Sequence, residues 1–286
     1  MEHWERFCEG GLQFVYDDTL FRPGTDTFLL SSLPRLKPGL KVCDLGCGTG
    51  LLGILLLQRE RALHVTGLEL QEAAVRLGQR AVEENALQGS LTIRQGDVRQ
   101  VKELFPAGRF DLVVCNPPYY DVRSGKLSQR DALRAARSEV SCTLEDVCRA
   151  ASFLLRWGGS FCLVHKPERL TDVLVTLRRQ SIEPKHLRFV CATAAAAPSL
   201  FLLEGRRGGN SGLTIEPPLI LQTEDGRPTR ELDAIYFRKE ETPRAASCIS
   251  SPPPSAIWGT SLPGRRRPFG TRISLRRRIP GSPSVF

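Results

Sequence analysis

Four stretches of the sequence place carboxylates, glycines or an amide at the ends of predicted strands. The first runs from Asp44 to Gly50 and reads DLGCGTG, with glycines at alternate positions that let the backbone turn tightly and let a ligand lie against it. Two more strands end at acids, and a fourth ends in the run NPPY, whose prolines must stop it. The candidate ligand-binding residues at the first three ends are Asp44, Gly46, Cys47, Gly48, Gly50, Glu69, Leu70, Asp97 and Val98.

The types and order of these residues suit an adenosine-containing ligand. Glu69 can accept hydrogen bonds from two ribose hydroxyls, and Asp97 can accept one from an exocyclic adenine amine. A GxG loop after a strand also suits a dinucleotide, but here the spacing is GxGxG instead of GxGxxG. The loop and the two acids together match the methyltransferases that use S-adenosylmethionine.

The fourth strand end, Asn116-Pro117-Pro118-Tyr119, resembles the signature of methyltransferases that act on a planar nitrogen. An exocyclic amine is a poor nucleophile because its lone pair is delocalised. Acceptors on the Asn116 side chain and the Pro117 carbonyl would hold its two N–H groups and turn the lone pair toward the methyl donor. Pro118 would stiffen the turn, and Tyr119 would stack on an unstacked or flipped base. Asn116 therefore counts both as a catalytic and as a cofactor-site residue.

The elements that must position these residues alternate strand and helix. Short apolar strands are predicted at LKVCDLG, LHVTGLEL, LTIRQGD, FDLVVCN and SFCLVHK, and helices at GLLGILLLQRE, QEAAVRLGQRAVEENA and LEDVCRAASFLLRWGG, the last closed by glycine. Such alternation implies βαβ units in a mostly parallel sheet covered on both faces. We therefore expect an α/β, Rossmann-like class I methyltransferase fold with a seven-stranded sheet, binding ligands beyond the carboxyl ends of its strands.

The distribution of charge and the cysteine content indicate which binding partners and which cellular compartment to expect. The net charge is +9, but residues 243–286 hold eight arginines and no acid, so residues 1–242 carry 32 basic and 31 acidic side chains. Nine scattered cysteines without metal-ligand spacing predict the reduced thiols of a cytoplasmic protein and no metal. No run approaches the roughly 20 apolar residues of a membrane span. Local basic clusters could meet RNA phosphates: Arg123, Lys126, Arg130, Arg206 and Arg207.

Composition divides the chain into three parts. We expect residues 1–40 to border the substrate and cofactor, residues 41–242 to form the methyltransferase domain, and residues 243–286 to be a disordered basic tail rich in proline and arginine. Read one frame away with permitted codons, the tail from Cys248 onward can spell a string resembling the start of a bacterial ribosomal-RNA 2′-O-methyltransferase family. We therefore interpret the tail as read-through past a frameshift in preference to an RNA-binding arm.

The segment LFRPGTDTFLL and the runs GLELQEAAV, CNPPYYDVRSGK and PPLILQTEDGRPTREL carry a family resemblance. The chain resembles the bacterial methyltransferases that modify the adenine beside the anticodon of a valine tRNA at N6. The resemblance covers roughly residues 11–237. It implies S-adenosylmethionine as cofactor, tRNA as substrate, and Asp26 beside the methionine end of the cofactor.

The sequence departs from the family pattern at two places and leaves alternatives open. Ser138 stands where many relatives have histidine, and Pro228 replaces a frequent tyrosine. NPPY also occurs in guanine-N2 and protein-glutamine methyltransferases. The glutamine enzymes carry a helical domain before the glycine loop, for which 43 residues are too few. A non-catalytic protein that binds S-adenosylmethionine or RNA is the third alternative, and the intact NPPY argues against it.

Overall fold

The computed structural model describes residues 1–18, 20, 23–117 and 142–238 of the 286. All of them belong to one compact unit that spans Met1–Glu241. Predictions that concern Pro118, Tyr119, the basic residues between 123 and 137, or the tail lie outside the described residues.

An eight-stranded sheet forms the centre of this unit. Its strands are β3 (Lys41–Leu45), β4 (His64–Glu69), β5 (Leu91–Gln95), β6 (Phe110–Cys115), β7 (Leu155–His165), β8 (Ile182–Cys191), β9 (Pro198–Arg207) and β10 (Thr214–Ile220). Their order across the sheet is β10-β8-β9-β7-β6-β3-β4-β5. β9 is antiparallel to both of its neighbours, and every other pairing is parallel. The predicted Rossmann-like α/β class is confirmed.

Helices cover both faces of the sheet, as expected for a sheet whose strands are apolar throughout. The helices in the described residues are α1 (Thr25–Ser31), α2 (Leu51–Arg59), α3 (Glu72–Glu84), α4 (Val101–Leu104), α5 (Leu144–Leu154), α6 (Leu170–Arg179) and α7 (Arg230–Ile235). Buried side chains of α1, α2, α3 and α7 form the core on one face, and those of α4, α5 and α6 form the core on the other. No helix in the described part of the chain is long and apolar enough to cross a membrane.

The sheet has one strand more than the seven predicted. The additional strand is β10, which pairs in parallel with β8 at the edge of the sheet. It contains Pro217 and Pro218, and the register shifts between Glu216 and Leu219. An edge strand tolerates prolines because one side of its backbone needs no partner in the ladder.

Two local features also differ from the sequence-based expectations. The predicted helix LEDVCRAASFLLRWGG ends at Leu154, before its glycines, and the chain continues directly into β7. At the N-terminus, β1 (Glu2–Arg6) and β2 (Gln13–Asp17) form an antiparallel hairpin that the sequence analysis did not predict. The segment that connects β1 to β2 is held to the rest of the domain by side chains from α2 and the end of α3. The Leu12 N–H donates to Gln58 Oε1 at 2.8 Å, and the Gln13 N–H donates to Asn85 Oδ1 at 2.7 Å.

Candidate functional site

The strand order reverses at β3, so the ends of β3 and β6 border a crevice at the carboxyl edge of the sheet. Asp44 pairs with Val114, and Leu45 pairs with Leu68. Gly46 therefore lies between Asn116 on one side and Glu69 on the other. Since neighbouring strands are about 4.8 Å apart, the four predicted strand ends lie within about 15 Å of one another along this edge.

The glycine loop after β3 depends on backbone conformations that favour glycine. Gly46, Gly48 and Gly50 have φ values of 71°, 55° and 83°. The Gly46 and Cys47 N–H groups donate to the Leu68 carbonyl at 2.8 and 3.1 Å, which fastens the loop to the end of β4. A Cβ on Gly46 or Gly48 would meet no heavy atom within 4 Å, so these glycines present bare backbone to open space.

Two carboxylates lie beneath this loop. Glu69 is buried, and its oxygens accept hydrogen bonds from the Gly48 N–H at 3.0 Å and the Gln71 N–H at 2.8 Å. Asp44 is also buried, and its Oδ2 has no hydrogen-bond partner among the residues that the structure describes. Burial, and secondarily the charge of Glu69, raise the pKa of Asp44 to about 8. The Asp44 carboxyl group therefore holds a proton at neutral pH, and a cationic ligand group beside it could displace that proton.

Asp97 follows β5 and caps a short 3₁₀ helix, Val98–Gln100. One of its oxygens accepts from the Arg99 N–H at 2.8 Å, and the Arg99 guanidinium binds both oxygens. The hydrogen bonds from Arg99 lower the pKa of Asp97, which is thus ionised at neutral pH. Leu70 follows Glu69 at the end of β4. It is 45% exposed and is available to an apolar ligand surface.

The NPPY run begins where predicted, at the end of β6. Asn116 and Pro117 follow Cys115 directly, and the Cys115 thiol lies 3.1 Å from the Leu45 carbonyl, beside the start of the glycine loop. The Asn116 Nδ2 donates to the Thr27 hydroxyl at 3.0 Å. Asp26 precedes Thr27 in the first turn of α1, so it also lies near this end of the crevice.

Arg206 and Arg207 are not near these residues. Arg206 pairs with Ser160 in the middle of β7, and Arg207 pairs with Ile182 at the start of β8. Both lie toward the amino-terminal edge of the parallel strands, opposite the glycine loop. There the Arg206 Nε donates to the Gly158 carbonyl at 3.1 Å, and the Arg207 guanidinium donates to the Leu155 carbonyl.

Sequence reasoning missed Thr27 and Arg99. Thr27 lies within the segment LFRPGTDTFLL, but its contact with Asn116 becomes visible only because α1 packs beside the end of β6. His165 ends β7, the strand next to β6, and is buried. Burial lowers its pKa to about 4, so its imidazole is neutral at physiological pH.

The residues at the carboxyl edge fit S-adenosylmethionine. The open backbone at Gly46 and Gly48 can lie against a ligand, and the unpartnered Asp44 oxygen can receive a donor or a positive charge. Glu69 and Asp97 occupy the next two strand ends in the order that a ribose and an adenine require. The described residues contain no group of three or more His, Cys, Asp or Glu side chains that could hold a metal ion.

A doubly wound sheet of this order, with a GxGxG loop and acids at successive strand ends, defines the Rossmann-like class I methyltransferases, whose cofactor is S-adenosylmethionine. The sequence model of one family in this class, described as "Methyltransferase small domain", matches residues 15–175. The chain belongs to this family.

Named relatives agree with the resemblance carried by the motifs. A tRNA1(Val) (adenine(37)-N6)-methyltransferase of Dickeya chrysanthemi (strain Ech1591) is 28% identical over 246 residues, which cover 82% of this chain and 95% of the relative. A protein of the same name from Yersinia pseudotuberculosis serotype O:3 (strain YPIII) is 32% identical over 162 residues. That match covers 54% of this chain and 63% of the relative.

Solved structures support the fold. A predicted O-methyltransferase, protein Atu636 from Agrobacterium tumefaciens, superposes with a TM-score of 0.62 over 74% of this chain and 95% of its own. Its sequence identity is 21%, so the likeness concerns the fold alone.

Proposed function

We propose that this protein transfers a methyl group from S-adenosylmethionine to the exocyclic N6 amine of an adenine in tRNA. One observation carries the proposal: Asn116-Pro117 is at the end of β6, in the crevice where the strand order reverses and one strand from the glycine loop. The names of the Dickeya and Yersinia relatives support adenine 37 of a valine tRNA as the target.

The residues of the chain would act by positioning. The Asn116 Oδ1 and the Pro117 carbonyl would each accept an N–H of the target amine, which turns its lone pair toward the cofactor. When bound, S-adenosylmethionine supplies a methyl group on a positively charged sulfur, which is an excellent leaving group. The amine then loses one proton to solvent, and no strong base is needed before transfer.

The rest of the site would hold the cofactor in place. Glu69 would accept from the ribose hydroxyls and Asp97 from the adenine amine, with Leu70 and Val98 beside the ring. Asp44 and Asp26 would lie toward the methionine end. Tyr119 would stack on the flipped target base, and Pro118 would rigidify the turn; both are outside the described residues.

The reaction can be tested with labelled S-adenosylmethionine and unmodified bacterial bulk tRNA, followed by nucleoside analysis. We expect N6-methyladenosine confined to one tRNA. Label in guanine, in ribosomal RNA or in protein would contradict the substrate. An absence of label despite measurable cofactor binding would contradict the activity itself.

The role of Asn116 is tested with Asn116→Ala. We expect methylation to fall by about 10³-fold or more, because the variant loses an acceptor aimed at the reacting nitrogen. Cofactor affinity, measured by calorimetry, should remain within about threefold of the parent value, since the glycine loop and Glu69 are untouched. Undiminished turnover in this variant would overturn the mechanism.

A further inference from the structure

Thr27, in the first turn of α1, contacts Asn116 at the end of β6. Its hydroxyl accepts a hydrogen bond of 3.0 Å from the Asn116 Nδ2, across 89 positions of sequence. The Thr27 side chain is 5% exposed. Asn116 is half-buried, so the Thr27 end of this contact is shielded from water.

α1 is fixed by its packing, so the hydroxyl is held in one place. Leu29 and Leu30 are fully buried, and the Phe28 ring stacks on Tyr236 with centroids 4.4 Å apart. Ser31 is also buried and donates to the Phe28 carbonyl at 2.7 Å. A hydroxyl on such a helix can orient a neighbouring group without moving itself.

The orientation of the Asn116 amide decides what it offers to a substrate. Rotation about the terminal torsion of asparagine is soft, and a half-turn exchanges the oxygen acceptor with the nitrogen donor. An amine substrate presents N–H groups, so only the oxygen can receive it. A flipped amide would place donors against donors and repel the substrate.

We propose that Thr27 is a positioning residue for methyl transfer. By holding the Asn116 amide nitrogen on its own side, it keeps Oδ1 directed at the amine of the target base. This inference rests on the proposed function, and it adds a residue outside the NPPY run to the reaction.

The test replaces Thr27 with the isosteric Val and with Ser, which keeps the hydroxyl. We expect Thr27→Val to lower the single-turnover rate of methylation by about 10–100-fold, as a misplaced reacting group does. Thr27→Ser should keep at least about a third of the parent rate, because its hydroxyl can occupy the same position. Dissociation constants for S-adenosylmethionine and for the RNA should stay within about twofold in both variants.

Ser31→Ala serves as the matched control, since Ser31 is a buried hydroxyl residue of the same helix that bonds to the Phe28 carbonyl and to Arg59. It should lower the melting temperature and leave the single-turnover rate unchanged. The inference would be overturned if Thr27→Val methylates at the parent single-turnover rate, or if the Val and Ser variants lose equal amounts of that rate. A loss confined to stability or binding would overturn it too.

A second background separates orientation from general packing. Asn116→Asp presents a carboxylate, which offers an acceptor in either orientation. In the Asn116→Asp background, we expect Thr27→Val to lower the single-turnover rate by about threefold or less. Equal losses of rate in the parent and in the Asn116→Asp background would contradict an orienting role. A parent protein inactive on every RNA would instead refute the proposed function, and active parent protein with unaffected Thr27→Val would refute this inference alone.

Discussion

The two buried carboxylates beneath the glycine loop give the site a pH dependence. The pKa of Asp44 is about 8 in the folded protein, whereas its ordinary value is 3.8. Between these values the folded state binds a proton that the unfolded state does not. The contribution of Asp44 to the free energy of unfolding is therefore fully present below about pH 4 and is lost as the pH rises through about 8.

Cofactor binding should release this proton. S-adenosylmethionine carries a sulfonium and an ammonium, and either positive charge near Asp44 would lower its pKa. At pH 7 we expect release of close to one proton per cofactor bound, and an affinity that rises by up to about tenfold per pH unit below pH 8. Calorimetry in buffers of different ionisation enthalpy measures the number of protons.

Asp44→Asn is the control for this measurement, since an amide cannot titrate. Its binding enthalpy should no longer depend on the buffer. If the parent protein also binds the cofactor without proton release, Asp44 is not the group that faces the cofactor's positive charge.

At the same residue scale, the sequence predicted the types of group at the strand ends but not their partners. Glu69, Asp97 and Asn116 are all where the strand pattern put them. The sequence could not show that Arg99 binds both oxygens of Asp97 or that Thr27 holds Asn116. Such contacts depend on side-chain geometry and on packing between distant segments, for which local pattern carries no signal.

At the scale of elements, α3 fixes the glycine loop through a close approach at Gly78. A Cβ at this position would lie 2.9 Å from the Thr49 carbonyl oxygen and 2.5 Å from Ile93 Cδ1. The Ile93 side chain could move, but the Thr49 backbone belongs to the loop. The helix and the loop are therefore positioned together.

Gly78→Ala should weaken both the fold and cofactor binding. Alanine favours the helix by about 1 kcal/mol, whereas overpacking costs about 1–3 kcal/mol. We expect a net loss of up to about 2 kcal/mol in the free energy of unfolding. Cofactor affinity should fall by about tenfold, because the loop must shift. Denaturant melts and calorimetry measure the two effects.

Gly89→Ala is the matched comparison for this variant. A Cβ there meets no heavy atom within 4 Å, and the residue does not have a positive φ. It should leave affinity and stability near the parent values. If Gly78→Ala binds the cofactor as tightly as Gly89→Ala does, the loop does not depend on the position of α3.

The elements themselves were predictable to different degrees. All five strands from β3 to β7 were predicted, because buried parallel strands form short apolar runs bounded by turn residues. The predicted end of α5 was wrong. Glycine was taken as the stop signal, although Leu155 already pairs with Phe110 in the sheet. The N-terminal hairpin was missed because its strands are short and half-exposed and are held by distant side chains.

At the scale of the whole molecule, the described fold extends close to position 238. Phe28 stacks on Tyr236, Arg59 lies over the Phe237 ring at 4.7 Å, and its guanidinium donates to the Ile235 carbonyl at 2.9 Å. Ile235 is itself buried in the core with α1 and α2. These contacts make α7 and the two aromatic residues after it part of the domain.

Two truncations test where the functional unit ends. We expect the chain cut after Glu241 to keep the melting temperature, the cofactor affinity and the methylation rate of the full chain, since the domain's core contacts precede this point. The chain cut after Arg227 loses α7, Tyr236 and Phe237 and leaves Phe28 uncovered. It should lose about 3 kcal/mol or more of unfolding free energy, as when large buried aromatic residues are deleted. If the first cut instead lowers stability or methylation, residues 242–286 act with the domain, and their interpretation as frameshift read-through is wrong.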